Sequence, residues 1–396
     1  MKNRLTAGAC LPEDRERALL VGRLWLPQLA APVLVAVDGD EVRDLSSVAA
    51  TASQLFELPD PAAALRAAGT LPRVAPLAAA LANSAEAGRD PRAPWFLAPC
   101  DLQAVKAAGV TFVASTLERV IEEQARGDPA KAESVRAAIV AVIGDNLGSI
   151  RPGSPEAAEL KQVLIRQGAW SQYLEVGIGP DAEVFTKAPV LAAVGTGVAV
   201  GVRADSAWNN PEPEVVLAVN SRGAVLGAAL GNDVNLRDIE GRSALLLGKA
   251  KDNNASCAIG PFIRLFDASF SLADLRREVL ELKVSGPEGY VLHGRSSMDQ
   301  ISRDPLELVR QTMSAHQYPD GFMLFLGTLF APVEDRDEPG SGFTHKPGDV
   351  VRISSPHLGV LSNRVATCDQ APPWTFGLRA LFANLAQRGL LRVDPV

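Results

Sequence analysis

Two glutamates, Glu212 and Glu214, are separated by a single residue, and their carboxylates could act together at a functional site. They stand just ahead of an apolar run, residues 215–219, whose β-branched side chains predict a strand. Alternate residues of a strand point to the same face of a sheet. The two carboxylates are therefore predicted to point the same way.

A third carboxylate, Asp233, can reach the same point. Residues 220–223 predict a hairpin turn, and residues 224–230 predict a returning strand that delivers Asp233 where the next helix begins. Three buried acidic groups repel each other unless a cation lies between them, and their oxygens suit Mg²⁺, Mn²⁺ or Ca²⁺ better than zinc. The spacing alone also fits a solvated pair at an edge strand and an aspartate that caps a helix.

The amino-acid sequence of this stretch resembles that of the fumarylacetoacetate hydrolase superfamily. The resemblance is carried by Pro-Glu-Pro-Glu at 211–214, by Gly-Asn-Asp-Val at 231–234 with Arg237 after it, and by Lys251 six residues before Cys257. Members of the superfamily use a Glu-x-Glu and a later Asp to hold a divalent metal. The resemblance implies Mg²⁺ or Mn²⁺ as the cofactor, Arg237 and Lys251 beside the substrate, and three metal ligands, namely Glu212, Glu214 and Asp233.

Further motifs resemble one branch of the superfamily, the 2-keto-3-deoxy-sugar-acid dehydratases, and within it those acting on 2-keto-3-deoxypentonate (2-keto-3-deoxyxylonate). They are Gly-Val-Thr-Phe at 109–112, Gly-Pro-Asp-Ala-Glu at 179–183, Trp-Asn-Asn-Pro-Glu at 208–212 and Lys-Asp-Asn-Asn at 251–254. The resemblance implies a hydro-lyase of pentose metabolism. Such an enzyme forms 2,5-dioxopentanoate, or α-ketoglutarate semialdehyde, through a metal-stabilised enolate.

Three residues are candidates for the catalytic proton transfers that the resemblance implies. Lys251 is the first, with a pKa that burial would lower and nearby carboxylates would raise; Lys249 is a rival, and a solvated lysine at a helix end is the alternative. Ser115 stands where superfamily hydrolases carry a histidine, and Glu118 follows three residues later. The same two residues also fit a capping box that would start a helix.

The serine at position 115 bears on the reaction class. Serine has no group that titrates near neutral pH, so the usual general base of the hydrolases is missing there. The four histidines all lie well downstream, and any of them could return in three dimensions. The alternatives to a dehydratase are therefore a metal-dependent carbon–carbon bond hydrolase of acylpyruvates or diketo acids, and a binding module for 2-keto acids.

An apolar run, residues 321–326, ends at Gly327 and Thr328 and predicts a buried strand followed by a turn. The resemblance implies more, because a Gly-Thr pair in the superfamily binds the substrate carboxylate through the threonine and nearby backbone N–H groups. It implies three substrate-binding residues here in addition to Arg237, namely Gly327, Thr328 and Phe112.

The chain of 396 residues is long for one domain. We predict a small N-terminal α/β domain over residues 1–95 and a catalytic domain over 96–396, with a helical excursion at 116–168 that forms a lid or a subunit contact. The resemblance implies an α+β fold, a mixed β-roll or sandwich of the fumarylacetoacetate hydrolase type, in a homodimer or a dimer of dimers.

Composition limits the class of partner. Lysine and arginine number 39 against 46 acidic residues, and no basic stripe occurs, so nucleic acid is not expected and a small-molecule 2-keto acid is. No apolar run is long enough to cross a membrane, and no signal peptide is evident. The cysteines lack paired spacing, which argues against zinc and against a disulfide framework and favours a cytoplasmic location; they are Cys10, Cys100, Cys257 and Cys368.

Overall fold

Two β-sheets form the frame of the molecule in the computed structural model, which describes residues 5–143, 150–330, 332, 334–338 and 342–391, with only the backbone for 138–143. The strands of this described part are β1 (Leu20–Leu26), β2 (Ala31–Asp38), β3 (Glu41–Asp44), β4 (Arg73–Pro76), β5 (Trp95–Leu97), β6 (Ala104–Gly109), β7 (Glu183–Ala188), β8 (Ala199–Val202), β9 (Asn209–Asn210), β10 (Pro213–Val219), β11 (Val225–Asp233), β12 (Asn235–Leu236), β13 (Cys257–Leu265), β14 (Val279–Ser285), β15 (Val291–Ser297), β16 (Phe322–Phe325), β17 (Val350–Ser355) and β18 (Gly359–Thr367).

The helices surround these sheets. Within the same described residues they are α1 (Ala7–Cys10), α2 (Ala52–Glu57), α3 (Pro61–Ala67), α4 (Leu77–Ser84), α5 (Val113–Gln124), α6 (Pro129–Ile143), α7 (Pro155–Arg166), α8 (Gln172–Ile178), α9 (Arg237–Glu240), α10 (Leu247–Lys251), α11 (Leu272–Leu275), α12 (Pro305–Thr312) and α13 (Leu378–Gln387). No helix in this part of the chain is long and apolar enough to cross a membrane.

The larger sheet has the strand order β4-β3-β2-β1-β13-β11-β10-β16-β6-β7, with β5 paired to β1. Its pairs are antiparallel except for β16 and β6, which are parallel. Strand β1 pairs with β13 through Leu20 opposite Arg264, so the sheet runs without a break from the N-terminal strands into the central ones. The division into domains at residue 95 stays a prediction.

The smaller sheet has the order β15-β14-β17-β18-β8 and packs face to face on the larger one. Strand β14 alternates, with Leu280 and Leu282 buried between the sheets and Glu281 exposed. Side chains of β10 such as Val215 and Leu217 join the same core. This arrangement confirms the predicted α+β sandwich.

Strand β10 is buried on both faces. Val215 and Leu217 face the core between the sheets, whereas Val216 and Ala218 pack in the second core, which includes Leu55 of α2. A strand that is covered on both sides needs apolar residues at every position. This explains the continuous apolar run that follows Glu214.

The helical excursion has a hydrophobic core of its own, built from helices α5 to α8 together with Trp208. Residues 144–149 of the predicted excursion lie outside the described residues. Helix α5 begins at Val113 rather than after Ser115, and its N-cap Phe112 makes no side-chain cap. The capping-box prediction was therefore wrong: the Ser115 hydroxyl donates to the Phe112 carbonyl at 2.8 Å from inside the first turn.

Candidate metal and substrate site

The hairpin of β10 and β11 brings the predicted carboxylates together. Glu214 lies opposite Gly231 in the antiparallel register, and the Asp233 N–H donates to the Glu212 carbonyl at 3.1 Å. The Cβ of any other residue at position 231 would lie within 2.5 Å of Phe325 and Val216 side-chain atoms. Glycine at that position lets the strand pack closely beside the acidic pair.

The three carboxylates form one buried group. Oxygen atoms of Glu212, Glu214 and Asp233 lie within 4.8 Å of one another. Burial raises the pKa of Glu214 well above its ordinary value, and the negative charges of Asp233 and Glu212 raise it further. A group of buried oxygens with mutual repulsion fits a hard divalent cation, which would balance the charge. Their role as metal ligands stays a prediction.

Lys251 is the last residue of α10 and is buried beside these carboxylates. Its Nζ donates to Glu212 Oε2 at 2.5 Å and to Asp233 Oδ2 at 3.2 Å. Burial opposes the charged form, but Asp233, Glu212 and Glu240 outweigh it and raise the pKa of Lys251 above its ordinary value. The rival Lys249 is partly exposed, and its Nζ lies 3.5 Å from Asp205 instead.

A second buried lysine, Lys187 of β7, was not predicted from the sequence. Its Nζ lies 2.6 Å from Asp233 Oδ1 and donates to the carbonyls of Val234 and Lys251 at 3.0 and 2.7 Å. The side chain is fully buried. Two lysines therefore hold Asp233, one on each of its oxygens. A single lysine in a short strand gave no signal of this role.

Arg119 of α5 and Glu240 of α9 were also missed. The Arg119 guanidinium donates to Glu212 Oε1 at 2.5 Å and to Glu122 Oε2 at 2.6 Å, and its Nη1 lies 3.1 Å from Glu240 Oε2. The Glu240 side chain is buried, and that of Arg119 is mostly buried. Arg119 thus bridges the predicted metal ligands and a further carboxylate that belongs to neither strand of the hairpin.

A cavity opens between these elements. Three further charged residues line it, namely Arg119, Glu183 and Glu240, and so do Ala108, Gly109, Val110 and Phe185. Seven of the predicted site residues line it as well, namely Ser115, Glu212, Glu214, Asp233, Lys251, Gly327 and Thr328. Burial raises the pKa of Glu183 to about 7, and the negative charge of Glu240 adds to the effect. Glu183 lies in a motif that carried the resemblance, which was the one available signal for it.

Gly327 and Thr328 follow β16 at the edge of the cavity. The Gly327 N–H donates to Glu214 Oε2 at 2.7 Å, and its φ is +88°. A Cβ there would lie 2.0 Å from Thr111 Oγ1, so only glycine fits. The Thr328 hydroxyl accepts from the Phe330 N–H at 3.1 Å.

The other three predicted site residues, Arg237, Glu118 and Phe112, are not among the described residues that line the cavity. Arg237 donates to Glu122 at 2.6 Å and to Glu118 at 3.2 Å, and its guanidinium lies 4.4 Å from the centre of the Trp208 ring. Glu118 is also bound by Arg136. Phe112 is buried at the N-cap of α5. Their assignment to the substrate stays a prediction.

Comparison with known proteins matches residues 198–366 to the family described as "Fumarylacetoacetate (FAA) hydrolase C-terminal". A 2-dehydro-3-deoxy-D-arabinonate dehydratase from Saccharolobus solfataricus is 31% identical over 179 residues, which are 45% of this chain and 57% of that protein. A probable 2-keto-3-deoxyxylonate dehydratase from Haloferax volcanii is 31% identical over 195 residues, 49% of this chain and 64% of that protein. The matched regions thus span less than two thirds of these curated relatives.

Solved structures share the fold over most of the chain. A 2-keto-3-deoxy-D-arabinonate dehydratase complexed with magnesium and 2,5-dioxopentanoate has a TM-score of 0.60 at 20% identity, covering 88% of this chain and 99% of its own. A fumarylacetoacetate hydrolase from Exiguobacterium antarcticum has a TM-score of 0.54 at 16% identity, with coverages of 88% and 99%. Residues 198–366 therefore match the model of the fumarylacetoacetate hydrolase C-terminal family, and the chain shares the fold of a solved 2-keto-3-deoxy-D-arabinonate dehydratase.

Proposed function

We propose that this protein is a hydro-lyase that converts a 2-keto-3-deoxypentonate to 2,5-dioxopentanoate. The observation that carries the proposal is the buried group of Glu212, Glu214 and Asp233, with the Lys251 ammonium 2.5 Å from Glu212. The named activities of the two curated relatives, and the magnesium and 2,5-dioxopentanoate of the solved relative, support the same reaction.

The three carboxylates would hold Mg²⁺ or Mn²⁺. When bound, the cation would draw electron density from the keto group of a 2-keto acid and so make the C3 proton more acidic. Gly327 and Glu214 are joined by a hydrogen bond, which fixes the turn beside the metal ligands. Thr328 lines the same edge of the cavity and would bind the substrate carboxylate through its hydroxyl.

Glu183 is the carboxylate that we assign to proton transfer. Its pKa of about 7 lets it exist in both protonation states near neutral pH, as a group must that accepts a proton and later returns it. In the proposed reaction it accepts the proton from C3 as the C4–O bond breaks. The leaving hydroxyl takes a proton from the Lys251 ammonium and departs as water.

The aldehyde forms by two further pairs of proton transfers. Loss of water leaves a C3–C4 double bond next to the keto group. A proton then leaves C5 and one returns to C3, which gives a C4–C5 enol, and this enol becomes the aldehyde when C4 gains a proton and the C5 hydroxyl loses one. Glu183 and Lys251 both line the cavity and can serve these steps. Glu118, the earlier candidate, is bound by Arg136 and Arg237 and is not among the described residues that line the cavity.

The alternative activity is carbon–carbon bond hydrolysis of an acylpyruvate or diketo acid. Hydrolysis needs a base that activates water. The Ser115 hydroxyl donates to the Phe112 carbonyl, and no histidine is among the described residues that line the cavity. These observations favour dehydration.

One assay separates the candidates. The protein is incubated with Mg²⁺ and 2-keto-3-deoxy-D-pentonate, and 2,5-dioxopentanoate is measured with and without EDTA. We expect aldehyde formation that requires Mg²⁺. Pyruvate release from an acylpyruvate without aldehyde formation from the pentonate would instead identify a hydrolase. Binding of 2-keto acids without either product would identify a binding module.

The assignment of Glu183 has its own test. Glu183→Gln should lower kcat for dehydration by about 100-fold or more, because a positioned acid–base group contributes roughly 10²–10⁴-fold. The stabilisation of the protein by Mg²⁺ should persist, since the three proposed ligands remain. Glu175→Gln on α8, whose carboxylate pairs with Lys161, is the matched control. Wild-type kcat in Glu183→Gln would remove Glu183 from the reaction.

We also propose a cytoplasmic location and a homodimer or dimer of dimers. All four cysteines are free thiols, and burial raises the pKa of Cys100 to about 12. Such thiols are typical of a reducing compartment. Light scattering during gel filtration measures the molar mass; a monomer would contradict the proposed assembly.

A further inference from the structure

The wall of the cavity next to the three carboxylates includes a charged pair, beside apolar residues such as Val110 and Phe185. Arg119 Nη1 lies 3.1 Å from Glu240 Oε2, and both residues line the cavity. Their side chains are 11% and 3% exposed. The pair comes from two different elements, α5 and α9, so the fold rather than local sequence brings it to the cavity.

The position of this pair relative to the predicted metal ligands is fixed by one guanidinium. Arg119 Nη2 donates to Glu212 Oε1 at 2.5 Å, while its Nη1 faces Glu122 and Glu240. The Arg119 guanidinium therefore lies between Glu240 and Glu212, one of the predicted metal ligands. A 2-keto acid bound there through the oxygens on its first two carbons would place its tail along the remaining wall of the cavity, which includes this pair.

An arginine and a carboxylate side by side present donors and an acceptor together. A hydroxyl group both donates and accepts a hydrogen bond, so it matches the pair in a way that an alkyl group cannot. Glu240 Oε2 accepts no hydrogen bond from the described residues, although Arg119 Nη1 lies 3.1 Å away, and an apolar tail would leave this buried oxygen unsatisfied. Sites built to hydrogen-bond a substrate hydroxyl reject analogues that lack it more strongly than hydrophobic pockets reject a missing methylene.

We propose that Arg119 and Glu240 form a specificity subsite for the C5 hydroxyl of the substrate. Arg119 donates to that hydroxyl oxygen and Glu240 accepts its proton in a hydrogen bond. The C4 hydroxyl, which departs, is left to Lys251 and Glu183. The subsite selects a hydroxylated tail and disfavours the alkyl or acyl tail of the hydrolase substrates. This inference rests on the proposed function, because it assumes a 2-keto acid at the three carboxylates.

The test compares two ligands that differ by one hydroxyl. Both 2-oxopentanoate and 5-hydroxy-2-oxopentanoate lack a leaving group at C4, so neither is dehydrated. Their dissociation constants are measured by calorimetry in the presence of Mg²⁺ for wild type, Glu240→Gln and Glu281→Gln. Glu281 is exposed on the outer face of the smaller sheet and serves as the control. The ratio of the two constants is compared between proteins, so ring closure of the free hydroxy acid cancels.

We expect the ratio of affinities for the hydroxylated and the plain ligand to be the same in wild type and Glu281→Gln, and to be at least tenfold lower in Glu240→Gln. Binding of pyruvate, which has no tail, should change by less than threefold in Glu240→Gln, and the shift in unfolding temperature caused by Mg²⁺ should persist. Arg119→Lys should show a preference between those of wild type and Glu240→Gln.

Two results would overturn the subsite. One is a ratio of affinities in Glu240→Gln that equals the ratio in wild type. The other is an equal loss of affinity for pyruvate and both longer ligands, which would mean that Glu240 only supports the metal ligands. The subsite and the proposed reaction can fail separately, because the binding ratio needs no turnover. A protein that prefers the hydroxyl ligand through Glu240 but forms no aldehyde would keep the subsite and lose the reaction.

Discussion

Glu214 combines burial with two neighbouring negative charges, and each of these raises its pKa. The positive charge of Lys251 lowers that pKa in part, and the backbone partner of Glu214, the Gly327 N–H, is neutral. A buried carboxylate of this kind destabilises the folded protein unless a cation is bound. The proposed metal binding would therefore be coupled to stability at this one residue.

Glu214→Gln should separate the two effects. The amide keeps an oxygen for the Gly327 N–H but removes one negative charge, so the variant should unfold at a higher temperature than wild type in EDTA. Mg²⁺ at 100 times its Kd would stabilise wild type by about 2.7 kcal/mol. The variant should show little of this shift. Thermal unfolding with and without Mg²⁺ measures both, and an equal Mg²⁺ shift in the two proteins would exclude Glu214 as a ligand.

Lys187 has the opposite effect on stability. It is fully buried and supplies hydrogen bonds to two carbonyls and a positive charge to Asp233. Lys187→Met leaves those groups without a partner, and removing one member of a buried pair costs roughly 3–5 kcal/mol. Urea unfolding should show a loss of about 3 kcal/mol. Lys249→Met, on the partly exposed rival lysine, should change stability by less than about 0.5 kcal/mol; equal losses in both would refute the role of Lys187.

At the scale of elements, the site depends on how helix α5 of the helical excursion packs against α9. The turn after α5 approaches α9 closely, because Gly127 has a φ of +70° and a Cβ built there would lie 2.6 Å from the Asp238 carbonyl oxygen. Arg119 and Glu122 of α5 contact Glu240 and Arg237 of α9. A shift of α5 would therefore move one wall of the cavity.

Two glycines that follow helices test this seating. Gly127 follows α5, and Gly168, with a φ of +68° and no atom within 4 Å of a built Cβ, follows α7. Alanine in this left-handed conformation costs about 1–2 kcal/mol at either position. Gly127→Ala adds a backbone clash, so its free energy of unfolding should fall by about 1 kcal/mol or more beyond that of Gly168→Ala. Chemical denaturation measures the difference, and equal losses would mean that α5 does not rest on α9 here.

At the scale of the whole molecule, a buried ion cluster makes stability depend on pH. Arg336 Nη1 lies 2.6 Å from Asp349 Oδ2, and His345 Nδ1 lies 3.3 Å from the same oxygen. Burial lowers the pKa of His345 below 6.5. Burial alone would raise the pKa of Asp349, but hydrogen bonds from Arg336 and His345 outweigh it and lower that pKa to about 2.

Both shifts predict a loss of stability in acid. The unfolded chain binds a proton at His345 near pH 6.5, and the folded protein does so only at lower pH, so stability falls as pH decreases through 6.5. The contribution of Asp349 is complete above pH 3.8 and is lost between 3.8 and about 2. Urea unfolding at pH 7, 6 and 5 measures the first step. His345→Gln should reduce this fall and the exposed-site control His316→Gln should not; an unreduced fall in His345→Gln would assign it to other groups.

The local features of the site could be predicted from the sequence. The β10–β11 hairpin is encoded by an apolar run, a turn and a second run, so Glu212, Glu214 and Asp233 meet as predicted. At Ser115 the same residues fitted two interpretations, a helix cap and a catalytic position, and the sequence could not distinguish them. A serine followed by a glutamate fits a capping box, but the backbone had already turned helical at Val113.

The residues by themselves predicted a mixed α and β protein, the carboxylate hairpin and an oxygen-bound divalent cation, because each depends on side-chain period or on residues close in the chain. The sandwich fold was what the family resemblance implied. Only the tertiary structure identified the residues that complete the site, namely Arg119, Glu183, Lys187 and Glu240. These come from α5, β7 and α9, and no periodicity or spacing records contacts between such distant segments. The tertiary structure also decided the charge of Lys251, because desolvation and attraction act in opposite directions, and their balance depends on distances that only the folded chain fixes.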